Sequence, residues 1–78
     1  MAKVTVRFWA GAQRAAGHEY EDIEAVTVED LRDVLAMRKE LAPICERASF
    51  LVDGQQAGDN RPLEDGQTVD VLPPFAGG

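Results

Sequence analysis

The residues best suited to chemistry in this 78-residue chain stand together at its end, Pro73-Pro74-Phe75-Ala76-Gly77-Gly78. Gly77 and Gly78 lack a Cβ, so their backbone can enter a narrow passage and adopt angles barred to other residues. Pro73 and Pro74 favour a stiff, extended exit from whatever precedes them. Six residues span about 20 Å at ~3.3 Å each, enough to reach a site buried in another protein. Phe75 is placed to anchor such a segment in an apolar pocket. Taken alone, two glycines also suit a chain end with no task.

The other chemically able residues are isolated. Cys45 is the lone cysteine and His18 the lone histidine. No internal disulfide and no zinc site of histidines and cysteines can be built from them. Cys45 follows Leu41 and Ile44 at helical spacing, which reads as a buried structural thiol. The acidic pairs Glu29-Asp30 and Glu64-Asp65 read as a helix start and a turn, not as acid/base catalysts. With no nucleophile–base pair, phosphate-cradling loop or metal ligand set, the chain is not expected to catalyse a reaction alone.

Size agrees. For this mass the unfolded chain exposes roughly 12,000 Å² and the folded one roughly 4,700 Å². If about 60% of the buried difference is apolar, its burial stabilises by about 115 kcal/mol. Ordering the chain costs about 1.5 kcal/mol per residue, a nearly equal sum. One domain with one core is feasible; a core plus a buried catalytic cleft is not. The formal net charge is −6. Nucleic acid and anionic membranes repel such a chain, whereas a basic protein surface attracts it. With no signal peptide or apolar span, a cytoplasmic location is expected.

The elements that must position the tail follow from periodicity. Lys3 to Ala10 alternates, with Val4, Val6, Phe8 and Ala10 on one face and Lys3, Thr5, Arg7 and Trp9 on the other. Gly11 to Gly17 reads as a small-residue loop. His18 to Val26 reads as a weaker strand whose alternation breaks between Tyr20 and Ile23. Thr27 caps a helix with Glu29 and Asp30 at its positive end and an apolar stripe of Val28, Leu31, Val34 and Leu35. Pro43 ends continuous helix, and a short turn carrying Leu41, Ile44, Cys45 and Ala48 follows. Phe50-Leu51-Val52 runs into Asp53-Gly54, a hairpin signal, with Gln55-Gln56-Ala57 returning. Leu63-Glu64-Asp65-Gly66 turns the chain into a last strand, Thr68 to Leu72, in which Val69 and Val71 face away from Asp70.

The pattern predicts an α+β domain over residues 1–72 with a tail at 73–78. If the last strand pairs in parallel beside the first, one main helix covers one face of a mixed sheet, the β-grasp arrangement. Trp9 then lies beside Arg7 on the open face, where the two resemble a binding hot spot. The alternative places Trp9 beneath a loop or the short second helix.

Four segments come in the order and spacing of one family: Phe8-Trp9-Ala10, Thr27-Val28-Glu29-Asp30-Leu31-Arg32, Pro62-Leu63-Glu64-Asp65-Gly66 and Val71-Leu72-Pro73-Pro74-Phe75-Ala76-Gly77-Gly78. The chain resembles the ubiquitin-like sulfur carriers, and among them the small subunit of molybdopterin synthase. It departs from the family pattern after the first strand: the slot that usually holds a basic residue holds Gln13, with Arg14 one place later, and Trp9 replaces a smaller residue.

The resemblance implies a β-grasp fold and a specific chemistry. The Gly78 carboxylate would be activated by a ubiquitin-activating-type adenylyltransferase as an acyl-adenylate. A sulfur donor such as a cysteine desulfurase or rhodanese would convert it to a thiocarboxylate. ATP and magnesium would belong to that activating partner, and this chain would bind no cofactor. Residues Pro73 to Gly77 would thread the tail into the large subunit; the reading of the strand faces adds that Arg7, Trp9 and Phe75 contribute to one partner-binding surface. The resemblance leaves open carriers for thiamine or cysteine synthesis, and a ubiquitin-like modifier joined to lysines through Gly78. A plain binding module is the remaining reading of the residues.

Overall fold

The alternation from Lys3 onward does build a strand, and the sheet assembles around it. The computed structural model describes residues 1–74; Phe75, Ala76, Gly77 and Gly78, on which most of the expected tail falls, lie outside the described residues. The elements in chain order are β1 (Ala2–Phe8), α1 (Ala10–Ala16), β2 (Tyr20–Ala25), α2 (Val28–Ala36), α3 (Ala42–Cys45), β3 (Ser49–Val52), β4 (Gln55–Ala57) and β5 (Thr68–Leu72). The five strands form one sheet in the order β2-β1-β5-β3-β4. The β1–β5 pair is parallel and the others are antiparallel. This is the mixed β-grasp sheet.

Its apolar face carries Val4, Val6, Phe8, Val69, Val71, Phe50 and Val52, all buried. Leu31 and Leu35 of α2, Leu41 before α3, Cys45 of α3 and Ala12 of α1 close the same core. The accessible surface of 4663 Å² is what close packing of this mass requires. Thr27 caps α2 as expected: its hydroxyl accepts from the Asp30 amide, and the Asp30 carboxylate accepts from the Val26 amide. The Asp53-Gly54 turn joins β3 to β4 with φ of 49° and 84°, the left-handed pair such a hairpin demands.

Two expectations fail. β1 ends at Phe8, and Ala10, expected on its buried face, is exposed and opens α1. Gly11 to Gly17 is not a loop: Ala10–Ala16 is helical and ends on Gly17 at φ 87°, whose amide bonds to the Gln13 carbonyl. Ala10, Ala12, Ala15 and Ala16 are strong helix formers. Ala12 is completely buried against the sheet, and tertiary packing of this kind outweighs the glycine at position 11. The sheet therefore has three helices on one face. The broken alternation of β2 is also explained. Glu21 faces the core side opposite Val6, where Arg38 and His18 engage its carboxylate.

Candidate functional site

The last strand in the sequence is the middle strand of the sheet. β5 pairs with β1 through Val6–Val69 and Phe8–Val71, and with β3 through Phe50–Val71 and Ser49–Leu72. Two turn contacts set this register: the Lys3 amide donates to the Asp65 carboxylate at 2.7 Å, and the Gly66 amide to the Lys3 carbonyl at 3.0 Å. Glu64-Asp65 is thus a turn and Glu29-Asp30 a helix start, as their types suggest. β5 ends at Leu72, followed by a buried Pro73 and an exposed Pro74. Because β1 and β5 run parallel, the chain leaves the sheet beside the end of β1, where Trp9 stands.

The helices leave the opposite sheet face open. One cross-strand row runs over all five strands there: Tyr20, Arg7, Asp70, Leu51 and Gln56. At its centre Asp70 is only 6% exposed. A buried carboxylate is costly unless it is bonded, and Asp70 is. Its Oδ1 accepts from Arg7 Nε at 2.7 Å and from Trp9 Nε1 at 3.2 Å. The Arg7 guanidinium lies over the Trp9 ring, 4.6 Å from its centroid, in cation–π contact. The hydrogen bond to Asp70 above all, then that to Tyr20, holds the Arg7 pKa above its ordinary value, so Arg7 is a fixed cation.

Trp9 is thus on the open face beside Arg7, not beneath a loop or helix. It keeps 42% of its surface exposed. Its amide bonds to the Val71 carbonyl, and its carbonyl accepts from Ala12 and Gln13. The turn after it is strained: Ala10 has φ 49°, a left-handed conformation unfavourable to a residue with a Cβ. The structure brings Arg7 and Trp9 together at the base of the tail. Phe75, the third member expected of this surface, lies outside the described residues, as do Ala76, Gly77 and Gly78.

Sequence reading placed Asp70 on this face but gave it no role. The local pattern offered only a charge between two valines, and that its strand is central is a finding of the fold. Gln13 and Arg14 are exposed on α1. They line a shallow depression with Gly17 and His18, away from the Arg7 cluster. Cys45 is a core residue: burial pushes its thiol from 9.0 up to about 11, despite nearby Arg32 and Arg38. At neutral pH it is no nucleophile. Arg32 was also missed as a structural clamp. It donates to the carbonyls of Cys45 and Ala48 and to Asp59, and covers the Phe50 ring at 4.6 Å.

Solved structures share this architecture. Molybdopterin-converting factor subunit 1, in complex with subunit 2 from Helicobacter pylori, is 27% identical with a TM-score of 0.76, over 97% of this chain and 99% of that one. Small archaeal modifier protein 1 from Methanosarcina acetivorans is 25% identical with a TM-score of 0.83, over 100% and 98%. A Pyrococcus furiosus protein assigned as molybdopterin converting factor, subunit 1, shares the fold at 24% identity with a TM-score of 0.85, over 95% and 99%. None of the curated proteins matches the chain in sequence. The ThiS family model matches residues 6–78, from the middle of β1 through Gly78. A central parallel β5, a helix-free sheet face at its end and a family match that runs through Gly77-Gly78 converge: the chain belongs to the ThiS family of ubiquitin-like β-grasp sulfur carriers.

Proposed function

We propose that the protein is a sulfur carrier that acts as the small subunit of a molybdopterin synthase in molybdenum cofactor biosynthesis. The observation that carries this reading is the family match through Gly78, joined to the likeness to a subunit 1 that is held in complex with its subunit 2. A ubiquitin-activating-type adenylyltransferase binds the chain with ATP and magnesium. A Gly78 carboxylate oxygen attacks the α-phosphorus and pyrophosphate leaves. A cysteine desulfurase or rhodanese carries sulfur as a persulfide, whose outer sulfur displaces AMP to give an acyl disulfide. A second thiol then attacks the S–S bond, leaving the Gly78 thiocarboxylate and a disulfide on the donor side. The large subunit then receives the tail, with Gly77 and Ala76 in a narrow passage and Phe75 in an apolar pocket. Arg7 and Trp9 meet that subunit on the open sheet face. The chain supplies the sulfur and the partner supplies the catalysis.

The test is intact mass after incubation with the host's activating enzyme, ATP, magnesium and sulfur donor. The expected product has one oxygen replaced by sulfur, reacts with a thiocarboxylate-selective reagent, and is absent when Gly78 is deleted. A Gly78 that stays a plain carboxylate under these conditions sinks the carrier reading. Capture of the large subunit, rather than a thiamine or cysteine synthesis enzyme, then selects the pathway. The likeness to a small archaeal modifier protein supports a second reading, a modifier; recovery of the chain joined to lysines through Gly78 would favour it.

A further inference from the structure

The Arg7–Asp70–Trp9 cluster holds more order than the fold requires. An apolar residue at position 70 would fill the centre of the sheet without desolvating a carboxylate, and buried ion pairs are often no more stabilising than apolar replacements of similar volume. Arg7 and Asp70 are 63 positions apart in sequence, and Trp9 joins them through the same carboxylate oxygen. The result is a fixed guanidinium on a fixed indole. Asp70 takes only Nε of Arg7. The Tyr20 side chain also approaches the guanidinium, whose remaining N–H donors sit on a side chain that is a third exposed to solvent. Around it lie apolar surfaces: exposed Trp9 and Tyr20, and half-buried Leu51 and Leu72. Lower on the same face the balance of charge reverses, with Asp22 and Glu24 exposed on β2 and Asp65 beside them around the cation Lys3.

We infer that this face is preorganised for a partner surface that is apolar around one carboxylate, which pairs with the outer edge of the Arg7 guanidinium, and that carries basic groups opposite Asp22 and Asp65. Two parallel N–H donors from Nη1 and Nη2 match the two oxygens of a carboxylate. The surrounding aromatic and leucine surface excludes water from the pair, the setting in which such contacts dominate an interface. Asp70 is a positioning residue: it fixes Arg7 and Trp9 before the partner arrives, which lowers the ordering cost of binding. The inference rests on the open face being the docking face, as proposed above, and it specifies the chemistry of the partner there.

The experiment measures binding of the full chain to the host's own counterpart of molybdopterin-converting factor subunit 2, by titration calorimetry at several salt concentrations. Arg7→Met alone would strand Asp70 as a buried unpaired charge, so the informative variant is the double substitution Arg7→Met with Asp70→Val. It replaces the ion pair with apolar packing and keeps the fold. Its expected behaviour is a melting temperature no lower than the wild type and an affinity at least about tenfold weaker, with a flatter salt dependence. Arg7→Lys, which keeps the charge and loses the fork, is expected to recover only part of the affinity. Arg7→Glu combined with Asp70→Val, which leaves no buried carboxylate unpaired, is expected to abolish binding, with recovery when one partner Asp or Glu is changed to Arg. Wild-type affinity in the folded double variant would overturn the inference and leave the cluster a purely structural pair. Absence of binding by the wild-type chain would instead overturn the docking reading itself, and the inference with it.

Discussion

Cys45 shows how environment assigns a residue its role. A thiol is a nucleophile only as a thiolate, and burial between α2, α3 and the sheet holds this one protonated up to about pH 11. The unfolded chain releases the proton near the ordinary 9.0, so below that pH both states keep it and no difference arises. Between about 9 and 11 the unfolded state is deprotonated and the folded state is not, and stability falls as pH rises. Denaturant midpoints measured across that window should fall more steeply for the wild type than for Cys45→Ala, which starts less stable but lacks this titration. Equal slopes would mean that the thiol is not shielded. The lone cysteine and its helical spacing made this role legible in the sequence. Asp70 and Arg32 were not legible, because their partners lie 61 to 63 and 13 to 27 positions away. Nothing local in a sequence announces a contact that only the folded sheet creates.

Among the elements, the turns carry the most specific instructions. Gly54 has φ 84°, and a Cβ there would meet nothing within 4 Å. The cost of Gly54→Ala is therefore conformational, about 1–2 kcal/mol. Chemical denaturation should show the midpoint fall with an unchanged denaturant slope; an unchanged midpoint would refute the left-handed turn. The Asp53 side chain ties the same turn to β5, accepting from the Thr68 amide at 3.0 Å. Turn, strand and cap signals act over a few residues, and for that reason Asp53-Gly54, Thr27 and the two faces of β1 could be read directly. The helix α1 could not. Its alanines favour helix, but Gly11 and Gly17 bracket the segment as they would a loop, and what decides for helix is the burial of Ala12 beneath the fold.

At the scale of the molecule, the core and the tail are separate assets. The buried cluster of the described residues ends at Val71. A chain shortened to end at Pro74 should therefore melt within about 4 °C of the full chain, under 1 kcal/mol of difference, while losing all sulfur transfer. A chain ending at Gln67 should show no cooperative transition, since both β1 and β3 lose their shared neighbour. A large loss of melting temperature on removing residues 75–78 would show that the tail is part of the fold. The position of β5 also bears on how the protein is made. Strands β1 and β3 have no contact surface to share until Thr68–Leu72 has left the ribosome, so the sheet cannot close on a growing chain. Folding waits for β5, and a copy cut short before Thr68–Leu72 is also a copy that never folds and is open to proteolysis. The topology thereby screens its own production: copies interrupted before the central strand are removed as unfolded chains.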